Sequence, residues 1–287
     1  MSVKLIIGSQ GMLGQALCVS VGDKHTIGVD HTDLDITDKA AVNAFFTKYH
    51  PESVYNTAAY NAVDACENDT NEQKKAFAVN EQGVRYLAEC AAVRQIPFIT
   101  VSTDYVFDGV KGVYTEDNVP NPVSVYGKSK YAGERAVREV ARRYPLWRWY
   151  VVRTSKLFGK PGLTKTAKQS FFEKIRSVLT TQNTAEVIDG EQSCFTYVPD
   201  LAEALLVLEQ HNTPSGIYHL INELPATWYG GAVQLVKILN LRASLIPIPP
   251  ERMPRPAPRP NRSVLVNTKQ RKLRPYTEAL REYLLRS

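Results

Sequence analysis

Tyr126 and Lys130 are four residues apart, a spacing that places both side chains on one face of a helix. A phenol has an unperturbed pKa of about 10, and a neighbouring ammonium favours the phenolate and lowers that pKa. Such a pair can pass a proton to or from a carbonyl or alcohol oxygen near neutral pH. A solvated helix face is the ordinary alternative, so the pair is catalytic only if a hydride source and a carbonyl substrate lie beside it.

A hydroxyl-rich segment, Ser102-Thr103-Asp104, precedes Tyr126 by about twenty residues and follows an apolar run that predicts a buried strand. Ligands of open α/β sheets bind beyond the carboxyl ends of the strands, so this segment is predicted to face the same site. Thr103 is expected to hydrogen-bond a substrate oxygen and to help tune Tyr126, and Asp104 is expected to border the substrate. A hydroxyl that only caps a turn is the alternative.

A glycine-rich turn near the start of the chain is the predicted cofactor site, because it follows a strand-like run and precedes a helical one. Gly8 suits a tight turn, Gly11 allows the backbone to approach a pyrophosphate, and Gly14 allows close helix–strand packing. A diphosphate would lie at the positive N-terminus of the helix. An ordinary strand-to-helix turn is the alternative, but the regular spacing favours dinucleotide binding. The predicted contacts of this turn are Gly8, Gln10, Gly11, Met12, Leu13 and Gly14.

Asp30 ends the second predicted strand, about twenty residues after the glycine turn. A carboxylate at this place can accept hydrogen bonds from a ribose 2′-hydroxyl, and it repels a 2′-phosphate. Asp30 therefore favours NADH, although the residues that follow it leave NADPH open. Asp35 and Ile36 are predicted to border the adenine, and a capping role for the next helix is compatible with that contact.

A run of small residues, Ala58-Ala59, follows the third predicted strand and leads into Tyr60. Small side chains let the backbone approach a cofactor closely, so all three residues are predicted cofactor contacts. Close packing against a helix explains the same residues equally well.

The composition is that of an ordinary globular protein, with 287 residues, 44% hydrophobic and 22% charged. The net charge of +6 is partly concentrated in arginines near the C-terminal end. Prolines interrupt that stretch and no aromatic residues interleave it, which disfavours nucleic acid. A site for an anionic substrate fits at least as well, and a solvated basic surface stays open. The four cysteines form no CxxC pair, which argues against a zinc or disulfide framework. With no signal peptide and no membrane-length apolar run, a cytoplasmic location is expected.

Strand-like and helical stretches alternate through the first half of the chain, which predicts an α/β fold with a Rossmann-type doubly wound parallel sheet. The predicted division is an NAD(P)-binding Rossmann domain over 1–153 and a smaller C-terminal substrate-binding domain over 154–287. A later segment near 197–222 is predicted to return to the first domain. The proline-rich segment 247–260 is expected to be an ordered loop or extended chain rather than a helix.

These residues together resemble the extended short-chain dehydrogenase/reductases, and among them the chain is most similar to the dTDP-4-dehydrorhamnose reductase family. The resemblance covers nearly the whole chain. The run STDYVFDG at 102–109 is its most specific motif, far more specific than the glycine turn. The other matching segments are LDIT at 34–37, AAYNAVD at 58–64, YGKSK at 126–130, GE at 133–134, RTS at 153–155, GIYHL at 216–220, TWY at 227–229 and RPNRS at 259–263.

The resemblance implies reduction of the C4 ketone of a nucleoside-diphosphate 4-keto-6-deoxyhexose, with NADPH or NADH as the cofactor. In the family pattern Tyr126 is the proton donor, Lys130 holds the nicotinamide ribose and Thr103 steadies the carbonyl oxygen. Arg259 is implied to meet the substrate diphosphate, because a guanidinium fork suits phosphate oxygens. Some relatives bridge a dimer with a metal held by a glutamate just after the glycine turn. Gln15 stands there in this chain, so no metal is predicted, and a homodimer stays open.

Two positions depart from the family pattern, and both border the sugar pocket in the family. Lys156 stands where a tryptophan usually lies against the sugar, and Phe195 stands where a proline usually precedes the threonine. Lys156 is therefore expected to contact a phosphate or a hydroxyl, or to point to solvent. A reductase of another UDP- or dTDP-linked 4-keto sugar is one alternative. A non-catalytic regulatory subunit is disfavoured by the intact Thr103, Tyr126 and Lys130. A dehydratase or epimerase that keeps its NAD shares the Tyr/Lys pair, but Asp104-Tyr105 leaves the acid pair of a dehydratase incomplete.

Overall fold

The computed structural model describes residues 3–163, 169–211 and 213–286. Its strands form one large sheet and several two-stranded ribbons. In chain order the strands are β1 (Lys4–Ile7), β2 (Thr26–Val29), β3 (Ser53–Asn56), β4 (Phe98–Thr103), β5 (Gly112–Tyr114), β6 (Trp149–Thr154), β7 (Leu157–Phe158), β8 (Thr184–Ile188), β9 (Gln192–Ser193), β10 (Thr196–Tyr197), β11 (Gly216–His219), β12 (Asn222–Glu223), β13 (Ala226–Thr227), β14 (Ser244–Ile248), β15 (Ser263–Leu265) and β16 (Leu273–Pro275). The helices are α1 (Met12–Val21), α2 (Lys39–Tyr49), α3 (Ala65–Asn68), α4 (Thr70–Phe77), α5 (Val84–Val93), α6 (Val125–Arg143), α7 (Phe171–Gln182), α8 (Val198–Gln210), α9 (Trp228–Leu239) and α10 (Tyr276–Arg286).

The large sheet has six strands in the order β2-β1-β3-β4-β6-β11, and every neighbouring pair is parallel. Ile7 at the end of β1 lies opposite Val29 on one side and Asn56 on the other. Because the strand order reverses at β1, the loops after β1 and β3 diverge and open a crevice beyond the carboxyl ends. The predicted α/β fold with a Rossmann-type parallel sheet is confirmed.

Helices cover both faces of this sheet, which explains why its strands are apolar on both sides. Helices α2, α5 and α6 share one core, in which Phe46, Leu87 and Val137 are buried. Helices α1 and α8 cover the other face, where Leu17 and Leu205 lie in a second core. The chain leaves the sheet after β6 and comes back to it through α8 and β11.

A third core, rich in aromatic side chains, lies in the C-terminal part of the chain. Helices α7, α9 and α10 pack with the parallel β8–β14 ribbon around Phe172, Phe195 and Leu280. The short β7–β10 pair connects this layer to the sheet, since β7 follows β6 and β10 precedes α8. The layer therefore begins at the carboxyl edge of the sheet, where the crevice opens.

The proline-rich segment 247–260 begins inside β14, a strand that the sequence does not predict. Pro247 lies opposite Val187 of β8 in the register of this two-stranded ribbon. A proline is tolerated there because a strand with one partner needs hydrogen-bond donors on one side only. A short 3-10 turn follows at Pro250–Arg252. Within the described ranges, no helix is both long and apolar enough to cross a lipid bilayer.

Candidate active site

The turn between β1 and α1 has a backbone that only glycine fits at two positions. Gly8 has a φ of 81°, in the left-handed region that disfavours side chains. At Gly14, an added Cβ would lie 2.1 Å from the carbonyl oxygen of Gly8. Helix α1 begins at Met12, and the free N–H groups of its first turn can bind an anion. This geometry fits the diphosphate of a dinucleotide.

Gly14→Ala is expected to weaken cofactor binding by roughly tenfold, within the 1–3 kcal/mol that overpacking typically costs. The new methyl group overlaps the Gly8 carbonyl, so α1 must move away from β1. Fluorescence titration with NADPH measures the effect. Gly216→Ala is the matched control, because the nearest atom to its added Cβ is 3.9 Å away. An unchanged affinity in Gly14→Ala would contradict the assigned role of the turn.

A cavity of about 840 Å³ opens beside this turn, and we call it the glycine-turn cavity. Leu13 and Gly14 face a neighbouring cavity instead, and Gln10 lines neither of the two. The structure therefore brings most of the predicted cofactor residues into one crevice. Those that line the glycine-turn cavity are Gly8, Gly11, Met12, Asp30, Asp35, Ile36, Ala58, Ala59 and Tyr60.

Asp30 holds the glycine turn in place, a role that sequence reasoning missed. Its Oδ2 accepts hydrogen bonds from Ser9 Oγ at 2.7 Å and from the backbone N–H of Gln10 at 2.8 Å. The carboxylate still borders the glycine-turn cavity, where it can also accept from a ribose hydroxyl. The predicted contact with a ribose hydroxyl is compatible with the observed contacts to the turn, because a carboxylate has a second oxygen that can accept.

Asn80 ties the predicted cofactor segment to the catalytic helix. It lies in a π-helical turn, Ala78–Gly83, that joins α4 to α5. Its side chain accepts from the N–H of Tyr60 and donates to the Tyr60 carbonyl, both at 2.9 Å. It also donates to Ser129 Oγ of α6 at 2.9 Å. Nothing in the sequence pattern indicates this link, although π turns are frequent at functional sites.

Helix α6 places Tyr126 and Lys130 on the wall of one cavity. The helix begins after Ser124, whose hydroxyl accepts from the backbone N–H of Gly127 at 3.1 Å. Both side chains border a cavity of about 470 Å³, which we call the tyrosine cavity. It adjoins the glycine-turn cavity, and Gly11 and Ala59 are among the residues that line both. The structure brings five predicted residues together here: Thr103, Asp104, Tyr126, Lys130 and Lys156.

The phenol of Tyr126 is a protonated group at neutral pH. Burial raises the pKa of Tyr126 above its usual value; a hydrogen bond with Thr103 opposes that shift, and the charge of Asp104 adds to it. Burial outweighs the lowering that the sequence predicts from Lys130, whose ammonium donates to the Val101 carbonyl at 2.8 Å. A protonated phenol is the form that a proton donor requires.

Lys130 is buried, and its charge depends on a neighbour further along α6. Burial lowers the pKa of Lys130 to about 8, and the negative charge of Glu134 acts in the opposite direction. Glu134 pairs with Arg153 of β6 at 2.7 Å, and each side chain is 1% exposed. Glu134 Oε1 also accepts from Ser102 Oγ at 2.5 Å. Sequence reasoning noted both residues as motif positions but had no signal that they touch.

Thr103 and Asp104 lie at the end of β4, as the sequence predicts for a site at the carboxyl edge. Thr103 Oγ accepts from the N–H of Tyr105 at 3.2 Å, so it caps a short turn and also lines the tyrosine cavity. Asp104 is buried, and burial raises its pKa, while a 2.6 Å hydrogen bond from Ser263 Oγ lowers it. Thr103 therefore caps a turn and also lines the cavity, while its contact with a substrate oxygen stays a prediction.

Lys156 turns into the site rather than towards solvent. Its Nζ lies 4.1 Å from the ring centroid of Trp228 and 4.9 Å from that of Phe195. It also approaches the carbonyl oxygens of Glu191 at 3.4 Å and Ala226 at 3.3 Å. Burial lowers the pKa of Lys156 to about 8, and the charges of Asp104 and Glu191 oppose that shift. The solvent-facing alternative does not describe this side chain.

Arg259 is a predicted site residue whose side chain is already paired with a carboxylate. Its guanidinium donates to both carboxylate oxygens of Asp64, at 2.5 and 2.7 Å. It does not line the glycine-turn or the tyrosine cavity, although its neighbour Pro260 lines the latter. In this structure the guanidinium fork that was expected to hold a diphosphate is occupied by a carboxylate.

Comparisons with known proteins extend over the whole chain. The family profile described as RmlD substrate binding domain matches residues 1–287. A dTDP-4-dehydrorhamnose reductase from Streptomyces griseus is 36% identical over 91% of this chain and 84% of its own. A dTDP-4-keto-6-deoxy-D-glucose reductase from Streptomyces niveus is 31% identical over 91% of this chain and 87% of its own. The structure of a dTDP-4-dehydrorhamnose reductase from Bacillus anthracis in complex with NADP superposes with a TM-score of 0.90, covering 100% of both chains at 27% identity.

Proposed function

Because this chain belongs to the dTDP-4-dehydrorhamnose reductase family, we propose that it is an NAD(P)H-dependent oxidoreductase of nucleotide sugars. The reaction is reduction of the C4 ketone of dTDP-4-dehydro-L-rhamnose to dTDP-L-rhamnose. The observation that carries the proposal is the meeting of Tyr126, Thr103 and Lys130 in a cavity that adjoins the glycine-turn cavity. A proton donor and a nucleotide site thus border one continuous space.

Tyr126 is the proton donor of the proposed reaction. The bound nicotinamide supplies a hydride to the ketone carbon, and the ketone oxygen then needs a proton. The raised pKa keeps the Tyr126 phenol protonated, and its ring lies at the first turn of a capped helix. Thr103 and Tyr126 are close enough to hydrogen-bond each other, so both hydroxyls can contact one substrate oxygen. This arrangement stabilises the alkoxide that forms during reduction.

Lys130 and the glycine turn would hold the cofactor. The buried ammonium of Lys130 lies on the wall of the tyrosine cavity, where it would hold the nicotinamide ribose. The cofactor is NADPH or NADH, and the Bacillus anthracis relative was solved with NADP. Asp30 borders the cavity that fits the adenosine half, and its charge favours NADH by repelling a 2′-phosphate.

The second candidate is reduction of a related sugar on the same kind of carrier. Lys156 and Phe195 favour it, because both depart from the family pattern: Lys156 lines the tyrosine cavity, and its ammonium lies over the ring of Phe195. A UDP- or dTDP-linked 4-keto hexose with different substituents would meet an ammonium there instead of an indole ring. We place either reaction in the cytoplasm, with the nucleotide sugar as the partner molecule.

The test is oxidation of NADPH and NADH, followed at 340 nm, with a panel of dTDP- and UDP-linked 4-keto-6-deoxyhexoses. We expect turnover on the order of 1–10³ per second with dTDP-4-dehydro-L-rhamnose, the usual range for enzymes. Faster turnover of another sugar would favour the second candidate. Tight binding of both nucleotides without oxidation of either would contradict an oxidoreductase and indicate a regulatory subunit.

A further inference from the structure

Lys156 lies where two cavities meet. It lines the tyrosine cavity and also a cavity of about 480 Å³, which we call the aromatic cavity because Phe171, Phe195 and Trp228 are in its walls. Besides Lys156, the residues common to both cavities are Leu157 and Trp228. A ligand that extends from one cavity into the other therefore passes beside the Lys156 ammonium.

A nucleoside-diphosphate sugar has its parts in the order that this passage requires. With its ketone at Tyr126, the hexose fills the tyrosine cavity, and the diphosphate that follows it lies towards Lys156. The aromatic cavity then offers ring faces to the flat base of the nucleoside. This step rests on the proposed function, because it takes a nucleotide sugar as the ligand.

The Lys156 ammonium is held in position without being neutralised. Two ring faces and two carbonyl oxygens surround it, and the contacts to those oxygens are long, at 3.3 and 3.4 Å. Among the residues that the structure describes, no carboxylate forms an ion pair with it. An ammonium that stays charged in such a place retains most of its attraction for an anion.

Two arginines in this part of the structure, Arg255 and Arg259, each form an ion pair with a carboxylate. The guanidinium of Arg259 is paired with Asp64 through two hydrogen bonds. Arg255 is paired with Glu191, which also accepts from Trp228 Nε1 at 3.1 Å. Each arginine therefore meets a carboxylate that balances its charge, and a phosphate would have to displace that partner. In the part of the chain that the structure describes, Lys156 forms no ion pair with a carboxylate, although the charges of Asp104 and Glu191 act on it from a distance.

We propose that Lys156 is the residue of this chain that binds the substrate diphosphate, the role that the family resemblance implies for Arg259. Lysine binds phosphate as a point charge, so its approach needs no bidentate geometry. Phe195 belongs to the same feature, because the Lys156 ammonium lies over its ring at 4.9 Å. Lys156 and Phe195 both depart from the family pattern, and because they contact each other they form one binding feature.

The experiment measures the affinity of dTDP, UDP and thymidine by calorimetry, with no turnover required. Lys156→Met keeps most of the side chain's length and an unbranched shape that can still contact the two rings, but it removes the charge. We expect it to weaken dTDP binding by about tenfold or more, as for loss of a charged hydrogen bond, while thymidine changes by less than about twofold. Lys156→Arg should restore most of the dTDP affinity. Lys128→Met is the matched control, because this exposed lysine of α6 lines none of the three cavities.

Equal dTDP affinity in the wild type and Lys156→Met would overturn the inference and place the ammonium against the sugar or elsewhere. An equal loss in Lys128→Met would overturn it too, because the effect would then be one of overall charge. If Arg259→Ala lost dTDP affinity while Lys156→Met did not, the diphosphate would belong to Arg259. If Lys156→Met loses dTDP binding and the wild type reduces no 4-keto sugar, the result would support the inference and contradict the proposed function. Failure of the wild type to bind dTDP or UDP would overturn both.

Discussion

Replacement of Tyr126 by phenylalanine is expected to lower kcat by at least about 100-fold while cofactor affinity stays unchanged. The substitution removes one oxygen and leaves the ring, which contacts Tyr105 edge-on at a centroid distance of 5.8 Å. The glycine turn and Lys130 are untouched, so nucleotide binding should persist. Steady-state kinetics with a 4-keto sugar and fluorescence titration with NADPH measure the two quantities separately.

Tyr131→Phe is the matched control for this result. Tyr131 lies on the same helix, five residues from Tyr126, but packs against a different cluster that includes Val106 and Phe107. Removal of its hydroxyl should change kcat by less than about twofold, as expected of a residue away from the reacting atoms. Near-normal turnover by Tyr126→Phe, or an equal loss in Tyr131→Phe, would remove Tyr126 from the role of proton donor.

The sequence predicts well that Tyr126 and Lys130 share one side of a helix, because that information is local. Helical spacing alone puts Tyr126 and Lys130 on one face, and the Ser124 cap fixes where that face begins. The glycine turn is predictable for the same reason, since strand, turn and helix are adjacent in the chain. Residues that act within one element or one turn can thus be assigned from their spacing.

The partners of the charged groups are not predictable in this way. Arg259 meets Asp64 across 195 residues of chain, and Asp30 meets the glycine turn across about twenty. Neither contact has a spacing rule, because both depend on how distant loops come together at the carboxyl edge of the sheet. The pKa of Tyr126 shows the same limit: four-residue spacing predicts a nearby cation, but burial decides the direction of the shift.

A buried ion pair behind the site gives the largest expected effect on stability. Glu134 and Arg153 are each 1% exposed, and their side chains share two hydrogen bonds, at 2.7 and 2.9 Å. Glu134→Ala leaves the Arg153 guanidinium buried without its counter-charge. Breaking a buried pair in this way typically costs about 3–5 kcal/mol of unfolding free energy. Denaturation in urea should show that loss, and the charge next to Lys130 disappears in the same variant.

Two comparisons distinguish a buried pair from a simple loss of charge. Glu139→Gln on the same helix breaks the ion pair between Glu139 and Arg85, in which Glu139 is 40% exposed. This variant should lose less than about 1 kcal/mol of unfolding free energy. The double variant Glu134→Leu with Arg153→Met removes both charges and should recover most of the stability lost in Glu134→Ala. It should not recover activity fully, because burial then lowers the pKa of Lys130 below about 8 without the opposing charge of Glu134. A double variant as unstable as Glu134→Ala would show that the cost lies in packing and not in the unpaired guanidinium.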